Sequence, residues 1–182
     1  SYDGIPDVTP PDPEGVRPVV LGVVGRSGSG KTTLIERLIP ELVALGLRVA
    51  AVKRVSHFDI DTPGKDSWRH GRAGAKAYAV ASAAKLAYVT ELAAEASLAD
   101  IVDRYFSGCD LVVCEGYRRE APRVVEVFRR DAGHDAPLCA PGEALALVTD
   151  ADLGHAQRFG FDESARLARY LAARLGLDDS AT

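Results

Sequence analysis

The amino-acid sequence points to one three-layer α/β domain, a mostly parallel sheet flanked by helices and built around a phosphate-binding loop. Three observations carry this. Gly25-Arg26-Ser27-Gly28-Ser29-Gly30-Lys31-Thr32 fits G-x-x-x-x-G-K-[ST]. The continuous apolar run Val19–Val24 before it suits a buried parallel strand. Thr33–Ile39 after it has apolar residues at helical spacing. Strand, glycine loop and helix thus follow in the order that a P-loop NTPase domain requires.

The chemistry explains the residue types. Glycines let successive backbone N–H groups of Gly25–Thr33 turn inward toward phosphate oxygens. Lys31 brings positive charge to the β and γ phosphates, and the Thr32 hydroxyl can ligate Mg²⁺. The following helix aims the positive end of its dipole at the same anion.

Residues 1–18 hold five prolines and no apolar periodicity, so an extended N-terminal arm is expected. The domain is expected over 19–176, with a frayed tail over 177–182. In the first helix, Pro40 removes a hydrogen bond and is expected to kink or break the run; Gly46 reads as its end. Arg48–Lys53 reads as a second strand, buried in its middle.

The loop over 53–67 lies just past that strand's C-terminal end, the edge where open α/β sheets bind ligands. Asp61-x-x-Gly64 resembles the acidic switch element of nucleotide hydrolases. Asp61 there holds Mg²⁺ through water or positions the attacking water, the alternative being a solvated loop. Asp66 suits a helix N-cap. His57 either binds substrate or is satisfied within the loop. The helix from Asp66 carries Arg69, Arg72 and Lys76 on one face.

Tyr78–Ala81 and Leu86–Thr90 read as short strands joined near Ser82–Lys85. Ser97–Phe106 is an amphipathic helix ended by Gly108. Asp110–Gly116 contains four apolar residues in a row and reads as a central parallel strand. Glu115 at its C-terminal end is a second candidate for the metal, or a strand-terminal acid in water. Arg118, Arg119 and Arg123 suit polyphosphate or a second phosphorylated ligand. Arg123–Arg129 alternates like a strand, 130–143 is a polar loop, and Ala144–Thr149 reads as the last buried strand. Asp150 closes it, either as a carboxylate reading guanine N1–H and N2–H or as the acidic start of a turn. Asp162–Leu175 is a C-terminal amphipathic helix.

The bulk numbers exclude some functions. Net charge is −4 over 182 residues, against a general nucleic-acid or membrane-surface role. The longest apolar runs are too short to span a bilayer. No signal-peptide pattern opens the sequence. The three cysteines, Cys109, Cys114 and Cys139, form no C-x-x-C, so neither a disulfide framework nor a zinc site is expected. A reduced cytoplasmic compartment fits.

These residues together resemble the molybdopterin-guanine dinucleotide biosynthesis adapter family, MobB. The P-loop with Thr32-Thr33-Leu34, Leu38-Ile39-Pro40, His57–Asp61 with Pro63-Gly64-Lys65-Asp66-Ser67, Ala73-Gly74-Ala75 and Glu115-Gly116-Tyr117-Arg118 carry the likeness. It implies a weakly hydrolysing GTP-binding protein of the dethiobiotin-synthetase-like class. Such a protein works beside the guanylyltransferase that joins GMP to molybdopterin. It also implies Mg²⁺, a homodimer and a cytoplasmic location, with molybdopterin itself as a further candidate ligand. By position, Lys31 and the Gly25–Thr33 backbone take the phosphates, with Lys31 and Asp61 the catalytic candidates. Thr32, Asp61 and Glu115 surround Mg²⁺, and His57, Lys65, Asp66, Ser67 and Arg118 serve a second ligand. Arg54, Tyr117 and Arg118 depart from the His, Phe and Lys common in the family. The alternative is a small-molecule kinase or ATP-dependent ligase of the same class.

Overall fold

A computed structural model describes residues 17–58, 60 and 63–178. Asp61 and nearly all of the expected N-terminal arm lie outside the described residues. The chain divides into a smaller unit over Val55–Ser97 and a larger one that holds the remaining described residues.

The elements run in order β1 (Val19–Val24), α1 (Lys31–Ala44), β2 (Val49–Lys53), α2 (Asp66–Arg72), β3 (Ala77–Ala81), β4 (Leu86–Thr90), α3 (Leu98–Tyr105), β5 (Leu111–Glu115), β6 (Val124–Phe128), β7 (Ala146–Thr149), β8 (Arg158–Phe159) and α4 (Ser164–Leu175). In the larger unit six strands form one sheet in the order β2-β5-β1-β6-β7-β8. Every pairing in it is parallel. Parallel strands need helical crossovers, which cover both faces of the sheet.

Strand alternation sorts the core into two sides. Leu21, Val23, Leu111 and Val113 pack with Leu34, Leu38 and Leu42 of α1 and Leu167 and Leu171 of α4. Val112 and Cys114 pack with Leu98 and Val102 of α3 and with Tyr117. Helices, sheet and helix make the three layers. The consequence for function is positional: β1 and β5 lie side by side, so the loop after β1 and the tip of β5 share one sheet edge.

Four expectations are corrected. The first helix does not break at Pro40, which lies inside α1. Pro40 is exposed, while Leu38 and Leu42 on either side are fully buried, and that burial outweighs one lost hydrogen bond. β2 is not buried in its middle: Ala51 is exposed, because the strand lies at the sheet edge. Asp66 is the first residue of α2, and Lys65 occupies the cap position without a side-chain hydrogen bond. β7 is not the last strand, since β8 follows beside it with only two residues.

In the smaller unit, β3 and β4 pair antiparallel as a sheet of their own. Tyr78 lies against Gly71 of α2, where an added Cβ would stand 2.9 Å from its ring. Leu177, which the sequence reading assigns to the tail, is buried, and its N–H bonds the Ala172 carbonyl. Among the described residues no helix is long and apolar enough to cross a membrane.

Candidate nucleotide site

The loop between β1 and α1 is shaped by close backbone approach. Gly25 has φ of 151°, and a Cβ there would stand 2.4 Å from the Val127 carbonyl oxygen of β6. No side chain fits that gap. Gly30 takes the left-handed conformation at φ of 100° as the residue before α1, and no side chain caps the helix. The first N–H groups of a 14-residue helix are thus left for an external acceptor. Ser29 is 2% exposed, and its hydroxyl has no protein partner among the described residues. Arg26, Ser27, Gly28 and Thr33 are exposed along the same loop and first turn.

Lys31 arches back over the loop. Its Nζ donates to the carbonyls of Gly25 (3.0 Å) and Arg26 (2.9 Å). The ammonium therefore stands within the loop rather than out in solvent. Thr32 Oγ1 donates to Glu115 Oε2 at 3.3 Å. Lys53 Nζ lies 3.6 Å from the same oxygen, and Lys53 and Glu115 are register partners of adjacent strands. The Glu115 side chain is only 13% exposed. Gly116 has φ of 88° and brings its backbone against Arg54.

A hydroxyl and a nearly buried carboxylate thus converge at the loop, a hard-oxygen donor pair that fits Mg²⁺. Among the described residues no group of three or more His, Cys, Asp and Glu comes together. Lys53 was not foreseen as part of this site. Its only sequence signal is a charged residue closing an apolar strand.

The other expected residues fall in three places. Lys65, Asp66 and Ser67 line an open cavity of about 550 Å³ in the smaller unit, with His70 and β3. His57 is an exposed residue of that unit. Arg118 belongs to the larger unit, where Nη2 donates to the Leu138 carbonyl at 2.9 Å. Asp150 Oδ1 accepts from the Arg130 N–H at 3.1 Å and so holds the 3₁₀ turn Arg130–Ala132.

The loop over 130–143 has an unforeseen anchor. Glu126 of β6 is 2% exposed, and its carboxylate accepts from the backbone N–H of Leu138 and of Cys139. Burial, with the Glu126 carboxylate beside it, pushes the Cys139 thiol up to about 12. Burial drives the Cys114 thiol up to about 12, with a smaller push from Glu120. Neither thiol is a nucleophile at neutral pH. The signal for Glu126 was a lone acid in the strand Val124–Phe128, which single-sequence reading takes for a solvent-facing position.

Comparison with known proteins identifies the family. A family model described as molybdopterin guanine dinucleotide synthesis protein B, MobB, matches residues 20–150. A relative from Haemophilus influenzae, named molybdopterin-guanine dinucleotide biosynthesis adapter protein, is 39% identical over 122 residues, 65% of this chain and 67% of the relative. Its namesake from Escherichia coli K12 is 37% identical over 141 residues, 74% of this chain and 79% of that protein. The crystal structure of a molybdopterin-guanine biosynthesis protein B superposes with a TM-score of 0.69 at 34% identity, covering 87% of this chain and 99% of that one. A MobB homologue from Bacillus stearothermophilus gives a TM-score of 0.60 at 25% identity, covering 86% and 97%. With its P-loop on the β1 tip and most of its length matched, this chain belongs to the MobB family.

Proposed function

We propose that this protein binds Mg·GTP in the β1–α1 loop and hydrolyses it slowly. In this reading it is an adapter that assists a partner guanylyltransferase in attaching GMP to molybdopterin. The observation that carries it is the convergence at one sheet edge of Lys31, the uncapped start of α1 and the Thr32–Glu115 pair. The names of the relatives, all biosynthesis adapters, supply the pathway.

The chain's own residues divide the work. The N–H groups of Gly25–Thr33 and the Lys31 ammonium hold the β and γ phosphates. For Lys31 this means exchanging two loop carbonyls for phosphate oxygens, a charge-assisted gain. Thr32 and Glu115 hold Mg²⁺, with Asp61 as the third candidate. Bound Mg²⁺ neutralises charge that develops on the phosphates. Lys53, whose Nζ lies against Glu115, would share that carboxylate with a bound metal. Asp61 positions the attacking water, and Asp150 reads guanine through the carboxylate oxygen not engaged with Arg130.

His57, Lys65, Asp66, Ser67 and Arg118 stand as candidates for a second ligand, molybdopterin among them. A homodimer in the cytoplasm belongs to the same reading. Support for the dimer comes from β3 and β4: a two-stranded sheet is marginal alone, and its Leu86 and Tyr88 are half exposed.

A titration of GTP against ATP, with and without Mg²⁺, tests the site. GTP binds more tightly, Mg²⁺ strengthens it, and Lys31→Ala abolishes both signals. Turnover stays well below the roughly 1–100 s⁻¹ of ordinary kinases. A Lys31→Ala variant that binds GTP normally ends this reading. So does rapid turnover by the purified protein alone.

A further inference from the structure

We propose that Arg129, backed by Phe161, is the platform on which the purine of the bound nucleotide stacks. The inference rests on the loop reading above and adds residues that nothing in the sequence motif marks.

The two sides of the loop differ. On the β5 side stand Thr32, Glu115 and Lys53, the metal side. On the other side β6 runs next to β1 and β7 next to β6. A triphosphate seated with its metal toward β5 sends its nucleoside out over the tips of β6 and β7. Arg129 is the residue that follows β6, and Phe161 follows β8.

Those two side chains meet at the loop. The Arg129 guanidinium carbon lies 4.2 Å from the Phe161 ring centroid. Arg129 Nη2 and Phe161 Cε1 each lie 3.6 Å from where a Cβ on Gly30 would stand. Both thus flank the last glycine before Lys31. Both are only half buried. The pair is also held in place from behind: the Phe161 carbonyl accepts from Arg37 Nη1 at 2.9 Å, and Asp150 fixes the N–H of the next residue, Arg130. Arg129 itself makes no ion pair among the described residues, although five of its neighbours in β6 are buried. A half-buried planar cation in contact with an aromatic ring is thus held beside the loop.

Guanidinium planes stack on flat π systems, and every purine presents a π face. The contact therefore raises affinity for nucleotides over inorganic polyphosphate, without separating GTP from ATP. Base choice is left to a hydrogen-bonding group such as Asp150.

The test is calorimetric titration of the full chain with GTP, ATP and inorganic tripolyphosphate, each with Mg²⁺. Arg129→Ala weakens GTP and ATP roughly tenfold while tripolyphosphate changes by less than about twofold. Phe161→Ala gives the same pattern more weakly. Arg129→Lys keeps the charge and the stem but not the plane, so it restores little of the loss. It also serves if the alanine variant folds poorly. Equal losses for tripolyphosphate and GTP make Arg129 a strut of the loop and overturn the proposal. Unchanged binding in Arg129→Ala overturns it as well, with the loop reading intact. A wild-type chain that takes none of the three ligands overturns the loop reading itself.

Discussion

Arg48 and Asp110 show how much one side-chain pair can do at the rim of the larger unit. Asp110 accepts from the Arg48 backbone N–H at 2.7 Å and from its Nη2 at 2.7 Å, joining the start of β2 to the start of β5. The hydrogen-bonded Arg48 guanidinium holds the Asp110 carboxyl below its usual range. Because the folded value is depressed, the pair stabilises the fold above the ordinary carboxylate value near 4, and that contribution fades as pH falls through the depressed one. Asp110→Asn is expected to cost about 1 kcal/mol at pH 7 in urea unfolding, since Arg48 is largely exposed and screened. At pH 2 the cost shrinks; a difference independent of pH refutes the assignment. At this scale the sequence was informative wherever a residue type is demanded by a local motif. Lys31, Thr32 and the glycines are of that kind. Glu115 was found because it ends an apolar strand. Lys53, Glu126 and Arg129 were not found, because their roles come from neighbours across the sheet, and a single sequence carries no record of strand order.

The elements were legible where their apolar pattern was long. β1, β5, α1 and α4 announce themselves by runs or by leucines in register. β8 has only two residues, too few for any period to show. β2 misled because Val-Ala-Ala-Val is equally compatible with an edge or a centre. Pro40 misled because propensity is a local rule, whereas α1 is stabilised by what lies under it. Leu34, Leu38 and Leu42 form a stripe against the sheet, all but closed to solvent. Leu42→Ala is therefore expected to cost about 2–5 kcal/mol in denaturant unfolding, with the slope unchanged. A loss below about 1 kcal/mol means that the second half of α1, past Pro40, is held only loosely.

For the whole molecule, the larger unit has a helix-covered parallel sheet, and the smaller unit has, among the described residues, α2 and one hairpin. Leu86 and Tyr88 share one face of that hairpin with Ala79 and Ala81. A second copy of the chain is the proposed cover. Tyr88→Glu then shifts sedimentation of the full chain from dimer toward monomer, because it sets two like charges at a shared apolar contact. An unchanged sedimentation coefficient removes this face from the interface. The division into two units was not apparent from sequence, since nothing in composition changes at Val55 or Ser97.

The clearance at Gly25 has a mechanical meaning. Backbone lies on backbone there, with less room than one methyl group between the loop and Val127. The anion cradle is in effect clamped to a central rib of the sheet and inherits its stiffness. On the proposed phosphate-binding role, little ordering entropy is then spent on the ligand, because the mould is already set.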